Sequence, residues 1–242
     1  FPPKKSTDFE NVEKAALGIA ALQPAYMSVT YGAGGGTSQY TVQIASDIQS
    51  TCQVPALSHL TCVSSTREKV HSVLREIQAH GIENVLALRG DIPKDGKVEK
   101  DYQYASQLIR EIRETCPELC IGAACYPEGH VESVNNNILY NYLYRIREKG
   151  ITVPVVAGIM PVTNISQIKR ICSMSGTYLP ARFKAIVDRF GDNPAAMKQA
   201  GIAYATEQII DLIANNVNGI HVYSMNKPDV AAQIKNNMSE IL

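Results

Sequence analysis

A short apolar segment of the chain, from Val85 to Leu88, stops abruptly at Arg89, Gly90 and Asp91. A run of this kind bounded by glycine is typical of a strand covered on both faces, as in parallel sheets flanked by helices. In such folds the chemistry lies at the carboxyl ends of the strands. The segment 85–91 therefore predicts a buried strand that ends in a polar site. For this strand taken alone, a solvated turn with no functional role is an equal alternative.

The same transition occurs repeatedly along the chain, which favours the site over the solvated turn. Segments with the spacing of amphipathic helices lie between the apolar runs, and strand and helix alternate throughout, which predicts an α/β fold with a parallel sheet. The six predicted strands are 28–31, 55–60, 85–88, 121–125, 155–160 and 220–223. The eight predicted helices are 7–22, 38–50, 66–80, 102–115, 137–149, 165–173, 194–215 and 228–241.

The repeated strand and helix unit, without a long linker or a change in composition, favours one domain over residues 1–242. A closed barrel of eight parallel strands, the (β/α)8 or TIM barrel, needs about 250 residues and is the favoured architecture. A doubly wound open sheet is the second possibility. The barrel requires two strands more than the six that the pattern predicts.

Composition excludes several classes of protein. The chain has 23 basic and 23 acidic residues and no basic arm, so nucleic-acid binding is not expected. It shows no signal peptide and no apolar stretch of about 18 residues, so we expect a cytoplasmic protein without a membrane span. The six cysteines lie mostly in or beside apolar segments and match no zinc-binding spacing. They predict buried, reduced thiols and no metal.

Six motifs at the strand ends together resemble one family, the methylenetetrahydrofolate reductases, in their bacterial catalytic-barrel form. The motifs occur in the family's order and at similar spacing, and they cover nearly the whole chain. They are Thr30-Tyr31-Gly32, His59-Leu60-Thr61-Cys62, Leu88-Arg89-Gly90-Asp91, Tyr126-Pro127-Glu128 with His130, Gly158-Ile159-Met160-Pro161 with Asn164, and Tyr223-Ser224-Met225-Asn226.

The resemblance also accounts for the number of strands. In the family, a first barrel strand carries a catalytic glutamate two positions before the residue that matches Phe1. A second departure lies near Val134, where the family continues through one more βα unit of about 30 residues. We therefore expect that the first strand and one further βα unit are absent from the sequence as given. These two strands would complete a barrel of eight.

The resemblance implies a cytoplasmic flavoprotein of one-carbon metabolism and methionine biosynthesis, and a homo-oligomer. Such an oxidoreductase reduces 5,10-methylenetetrahydrofolate to 5-methyltetrahydrofolate by hydride transfer from reduced FAD, which NAD(P)H reduces in turn. Asp91, Gln167 and Lys227 would contact the folate, and Asp91 would be the catalytic residue. The implied FAD contacts are Thr30, Tyr31, Ala33, His59, Leu88, Arg89, Gly90, Asp91, Tyr104, Ala124, Tyr126 and His130.

These roles are chemically reasonable. Reduction builds negative charge on the pyrimidine side of a flavin, so a carboxylate such as Asp91 lowers its potential and makes the reduced form a better donor. Arg89 offers a planar, permanently charged group for phosphate or ribityl oxygens. Opening of the folate's five-membered ring needs an acid, and the family's candidate is the glutamate before Phe1.

Three alternatives stay open at this stage. The family often has a Phe four residues after the folate-binding glutamine, stacked on nicotinamide, whereas this chain has Ile171, so an electron-carrier subunit could replace NAD(P)H. A flavin barrel acting on another substrate, such as an amino-acid dehydrogenase, would not need Asp91 and Gln167 for a pterin. A folate-binding barrel without redox activity would bind no flavin.

Overall fold

A computed structural model describes residues 1–3, 8–31, 38–92, 96, 98–125, 137–175 and 179–242. The chain divides into two compact units, residues 1–125 and 126–242, and each is described by itself.

The first unit is built on a four-stranded parallel sheet in the order β1-β2-β3-β4. One face of this sheet is covered by helices and carries the core: Leu60, Val85 and Ala87 are fully buried, together with Leu74 and Ile112 from the helices. The strands are β1 (Met27–Val29), β2 (Ala56–Thr61), β3 (Asn84–Leu88) and β4 (Cys120–Ala123), and the helices are α1 (Phe9–Ala20), α2 (Ser38–Cys52), α3 (Arg67–Ala79) and α4 (Ala105–Thr115).

The second unit contains a parallel pair of strands packed against a long helix. Ala157 and Ile159 of one strand are buried against Ile209 and Leu212 of that helix. The strands are β5 (Val156–Ile159) and β6 (Gly219–Val222), paired in parallel, and the helices are α5 (Asn137–Glu148), α6 (Ile165–Ser175), α7 (Ala181–Phe190), α8 (Pro194–Ala214) and α9 (Pro228–Asn236).

Helix caps explain where two of these helices begin. The Thr66 side chain accepts a hydrogen bond from the Lys69 amide at the start of α3. The Asn193 side chain accepts hydrogen bonds from the Ala195 and Ala196 amides at the start of α8, where Pro194 occupies the first turn. A side-chain oxygen at this position satisfies amides that have no partner within the helix. Both caps are recognisable in the sequence, as Ser65-Thr66 before Arg67-Glu68 and as Asp192-Asn193 before Pro194.

The α/β class, the parallel pairing and all six predicted strands are confirmed in the described residues. Each of the eight predicted helices has a counterpart, although α4 begins at Ala105 rather than at Tyr102. Helix α7 was not predicted; it packs through Phe183, whose ring centroid lies 4.8 Å from that of Tyr204 in α8. Closure of the barrel, the single domain and the two absent segments stay predictions.

The cysteines are less buried than the sequence predicted. All six are free thiols, but Cys120 and Cys125 are exposed. The reason is that β4 is the last strand of its sheet and its first and last residues are exposed. Cys120 is the first residue of β4, and Cys125 follows the strand. Within the described ranges, no helix is both long and apolar enough to cross a membrane. The same ranges contain no group of three or more potential metal ligands.

Candidate functional site

The turn after β3, residues 89–91, is held close to the end of β2 by backbone contacts. The Arg89 carbonyl accepts hydrogen bonds from the amides of Cys62 and Val63, at 3.2 and 2.8 Å. Gly90 has φ +84°, a conformation that residues with a side chain rarely adopt. A Cβ at Gly90 would lie 2.9 Å from Thr61 Cβ. Only glycine fits here, and the turn presents the side chains of Arg89 and Asp91, which are both exposed.

The second face of the four-stranded sheet, the one opposite the helices, carries the predicted FAD contacts of the strands. The register pairs His59 with Leu86 and Leu86 with Gly122. Because side chains alternate along a strand, the next positions on this face are Leu88 and Ala124. Their exposure changes across the sheet: His59 is buried, Leu88 is half-buried and Ala124 is exposed.

Thr30 and Tyr31 follow β1 at the corresponding end of the sheet. The Thr30 carbonyl accepts a hydrogen bond from the Thr41 hydroxyl at 3.1 Å, and Thr41 is fully buried. This contact ties the end of β1 to α2. Tyr31 is itself buried, so the residue contributes to the core of the unit.

Tyr104 lies immediately before α4 and its side chain is 57% exposed. Its amide and that of Gln103 both donate to Gln107 Oε1, at 2.9 and 2.6 Å. The Cys62 thiol lies 3.9 Å from the Tyr104 carbonyl, so the position of Tyr104 is also linked to the end of β2. Three other predicted FAD contacts, Ala33, Tyr126 and His130, lie outside the described residues.

In the second unit, the loop 161–164 after β5 is organised by the predicted folate residue Gln167. Its Oε1 accepts from the Thr163 amide and its Nε2 donates to the Pro161 carbonyl, both at 3.2 Å. Asn164 Oδ1 in turn accepts from the Gln167 amide at 2.7 Å, which caps α6. The half-buried amide of Gln167 therefore has a fixed orientation.

Lys227, the other predicted folate residue, meets the same loop. Its Nζ donates to Thr163 Oγ1 at 3.1 Å, and Thr163 is 7% exposed. Thr163 thus contacts both Gln167 and Lys227 and brings the two predicted folate residues together. Thr163 was not predicted as a site residue, although the Pro161-to-Asn164 strand end that contains it was recognised.

Gly201 of α8 is a second residue that sequence reasoning missed. A Cβ at this position would lie 1.8 Å from the Val162 carbonyl oxygen, so the loop 161–164 can approach the helix only because the residue is glycine. An isolated glycine inside a helix costs stability and usually has a packing reason, which here is the close approach of the loop. The glycine in the helical segment 194–214 could have served as the signal.

An aromatic pair lies at the end of β6, formed by His221 and by Tyr223 just after the strand. The His221 and Tyr223 rings meet edge to face, with centroids 4.9 Å apart. The Tyr223 ring also covers Gly158 of β5, where a Cβ would lie 2.9 Å from Tyr223 Cε2. Burial lowers the pKa of the His221 imidazole from its ordinary value, which favours the neutral ring.

The site residues therefore form one set in each unit. The first set holds the described FAD candidates around the turn 89–91, and the second holds Gln167 and Lys227 around Thr163. The first offers a guanidinium, a carboxylate and a sheet face that includes Leu88, Gly122 and Ala124, which suits a large anionic cofactor with a planar ring. The second offers an amide and an ammonium group, which suits a ligand with polar edges and carboxylates.

Comparison with known proteins identifies the family. The family model described as "Methylenetetrahydrofolate reductase" matches residues 1–143 and 134–239. The chain is 30% identical to "Methylenetetrahydrofolate reductase (NADH) 1" of Arabidopsis thaliana and 31% identical to the protein of that name from Zea mays, over all of its length. It is 28% identical to the "5,10-methylenetetrahydrofolate reductase" of Escherichia coli (strain K12) over 97% of its length.

The length of these alignments differs from the length of the chain. The chain spans about half of each plant relative, 48% and 47%, and 87% of the bacterial one. The alignment with the Arabidopsis protein extends over 281 residues, whereas this chain has 242. The relatives therefore carry segments that this chain lacks. The two family matches overlap near residues 134–143, the position at which the sequence predicts an absent βα unit.

Proposed function

Because the chain belongs to the methylenetetrahydrofolate reductase family, we propose that the full-length protein is an FAD-dependent oxidoreductase that reduces 5,10-methylenetetrahydrofolate to 5-methyltetrahydrofolate. When bound and reduced by an electron donor, FAD would supply the hydride for the methylene carbon of the folate. Free thiols support a cytoplasmic location for this reaction.

The observation that carries the proposal is the turn 89–91 at the carboxyl end of β3. Gly90 has no Cβ and lies against Thr61, so the turn is compact, and Arg89 and Asp91 lie on its exposed side. The Arg89 guanidinium would bind the phosphate or ribityl oxygens of FAD, since it is a planar donor of permanent positive charge. The second face of the sheet, with Leu88 and Ala124, would support the flavin ring.

Asp91 would have two effects in the reaction. Its negative charge would disfavour electron density on a neighbouring flavin, which lowers the reduction potential and makes the reduced cofactor a stronger donor. Its oxygens would also accept hydrogen bonds from the pterin and so orient the folate. Both effects require a carboxylate at this position, and an amide would supply neither the charge nor two acceptors.

Gln167, Thr163 and Lys227 would bind the folate. The Gln167 amide is already oriented by two backbone contacts, so it would meet the substrate without losing much conformational freedom. Lys227 would attract a carboxylate of the folate, because the residue is exposed and a hydrogen bond to Thr163 fixes the position of its ammonium group. Lys227→Gln should raise the folate KM about 5- to 20-fold. Lys198→Gln, which removes an exposed lysine paired with Asp229, is the matched control and should leave the folate KM unchanged.

The electron donor is NAD(P)H or a reduced carrier protein. Ile171 stands where the family often has the Phe that stacks on nicotinamide, so both NAD(P)H and a reduced carrier protein should be tested as donors. Rapid bleaching of the enzyme's flavin by NADH or NADPH would assign a nicotinamide donor. Reduction only by a carrier protein would assign the alternative.

The folate half-reaction tests the function independently of the donor. The flavin of the full-length protein is reduced chemically without oxygen, methylenetetrahydrofolate is added, and the recovery of oxidised-flavin absorbance is followed. We expect prompt reoxidation in the wild type. In Asp91→Asn we expect a higher flavin potential and reoxidation about 10- to 100-fold slower. Glu118→Gln, a surface change distant in sequence from the turn, is the control.

The remaining outcomes would contradict specific parts of the proposal. A yellow protein that stays reduced in the presence of the folate would indicate another flavin-linked substrate. A protein that binds no flavin would refute the cofactor. A normal rate in Asp91→Asn would remove Asp91 from the chemistry while leaving the reaction in place.

A further inference from the structure

A cluster of ionisable side chains lies between α3 and α4, outside the residues assigned to FAD. We define the Glu111 cluster as Arg67, His71, Tyr102 and Glu111. The Glu111 side chain is only 9% exposed, and its two oxygens accept from Arg67 Nη1 at 2.6 Å and contact His71 Nε2 at 2.7 Å. A carboxylate so shielded from water needs such partners, because burying an unpaired charge is costly.

Tyr102 connects this cluster to the segment 99–104, which leads into α4. Its side chain is 3% exposed, and the Arg67 guanidinium carbon lies 5.8 Å from the centre of its ring, within the range of a cation–π contact. Burial, reinforced by the negative charge of Glu111, raises the pKa of Tyr102 to about 12. Tyr102 therefore remains neutral and packed at any physiological pH.

Further contacts fix the part of the segment 99–104 that precedes Tyr102. Asp101 Oδ2 accepts from the Arg67 amide at 2.8 Å, and the Glu99 amide donates to the Val63 carbonyl at 3.0 Å. Tyr104 lies two residues after Tyr102, and its side chain is largely exposed. The segment is thus anchored to α3, α4 and the end of β2, and it carries an exposed aromatic ring at its end.

We propose that the Glu111 cluster is a positioning device for Tyr104, and that it raises the affinity for FAD by fixing the backbone of the segment 99–104, from which the exposed Tyr104 side chain projects. This inference rests on the proposed function, because it takes Tyr104 as a contact of FAD. An ion pair of this kind contributes little net stability compared with apolar residues. Its contribution here is the set of directional contacts that joins Arg67 and His71 of α3 to Glu111 of α4. A residue whose backbone is already in place loses less conformational entropy when the cofactor binds.

A double-mutant cycle separates positioning from general stability. The dissociation constant for FAD is measured by flavin fluorescence for the full-length protein and for Glu111→Ala, Tyr104→Ala and the double variant. We expect the constant to rise about fivefold in Glu111→Ala and about tenfold in Tyr104→Ala. Because the cluster acts through Tyr104, the double variant should be only about tenfold weaker than the wild type. Glu111→Gln, which keeps the shape of the side chain and one acceptor oxygen, should retain most of the FAD affinity that Glu111→Ala loses.

Glu118→Ala is the matched control. Gln78 donates to Glu118 Oε1 at 2.5 Å, so this pair also joins α3 to the chain after α4. It lies near the C-terminal ends of the two helices, whereas Tyr104 precedes the N-terminal end of α4. We expect its FAD affinity to equal that of the wild type. If Glu111→Ala fails to fold, as judged by circular dichroism, Arg67→Ala takes its place in the cycle, since Arg67 is largely exposed.

The outcomes distinguish this inference from the proposed function. If the wild type binds no FAD, the proposed function fails. If the wild type binds FAD and the double variant is about fiftyfold weaker, the two residues act independently and the inference alone is wrong. Equal losses in Glu111→Ala and Glu118→Ala, or no loss in Tyr104→Ala, would also overturn it.

Discussion

Replacing Gly90 by alanine tests whether the turn 89–91 is built as the structure indicates. The backbone at Gly90 has φ +84°, and placing a residue with a side chain in a left-handed conformation costs about 1–2 kcal/mol. The new Cβ would also lie 2.9 Å from Thr61 Cβ and 3.3 Å from Val63 Cγ1, and overpacking of this kind costs about 1–3 kcal/mol. The expected loss of unfolding free energy is therefore about 2–5 kcal/mol.

Gly81→Ala provides a control that separates the two contributions. Gly81 also has a positive φ, +65°, but a Cβ there would meet nothing within 4 Å. We expect this variant to lose only about 1–2 kcal/mol, the conformational part of the cost. Urea denaturation of both variants measures the difference. FAD titration should then show weaker binding in Gly90→Ala, because Arg89 and Asp91 are displaced, and unchanged binding in Gly81→Ala.

Two results would refute this reasoning. Equal losses of stability in the two variants would mean that the contact with Thr61 is not made. A Gly90→Ala protein that is less stable but binds FAD with normal affinity would mean that the turn does not position the cofactor contacts.

Three further predictions follow from the structure. Gly201→Ala should force the Val162 carbonyl away from α8, where the new Cβ would lie 1.8 Å from the oxygen, and so raise the folate KM while FAD affinity stays unchanged. As the pH rises from 10 to 12, Tyr102→Phe should lose less stability than the wild type. Burial raises the pKa of Tyr102 in the folded protein to about 12, so the tyrosine of the unfolded chain loses its proton first and unfolding becomes more favourable in the wild type. As the pH falls below about 6.5, His221→Phe should lose less stability than the wild type. Burial lowers the pKa of His221 in the folded protein, so protonation of the histidine favours the unfolded chain. Thermal or urea unfolding at a series of pH values measures the effects of both the Tyr102 and the His221 substitutions. A pH profile identical to that of the wild type would contradict either titration.

Much of the fold could be predicted from the sequence because each strand carries its own local signal. Apolar runs such as 85–88 end in glycine or polar residues, and the caps Thr66 and Asn193 mark the starts of α3 and α8. Helix α7 was missed because it lies between two predicted helices, 165–173 and 194–215, with no strand before it. Its apolar residues Phe183, Ile186, Val187 and Phe190 nevertheless have helical spacing.

The predicted site depended on motifs, and the structure adds the residues that orient them. The family resemblance implied Gln167 and Lys227 as folate contacts, but it gave no indication that Thr163 contacts both. Likewise, Arg67 and Glu111 are 44 positions apart in the sequence, and no local pattern joins them. Such contacts depend on how helices and loops pack, which periodicity and motif spacing do not specify.

The most direct test of the central claim follows a label from the flavin to the product. The full-length protein with FAD is reduced chemically in deuterium oxide, where the transferable hydrogen of the flavin exchanges with solvent, and is then mixed with methylenetetrahydrofolate for a single turnover. The proposed function predicts 5-methyltetrahydrofolate with one deuterium in its methyl group, detected by mass spectrometry. Absence of the methyl product, or a methyl group without deuterium, would contradict folate reduction through the flavin.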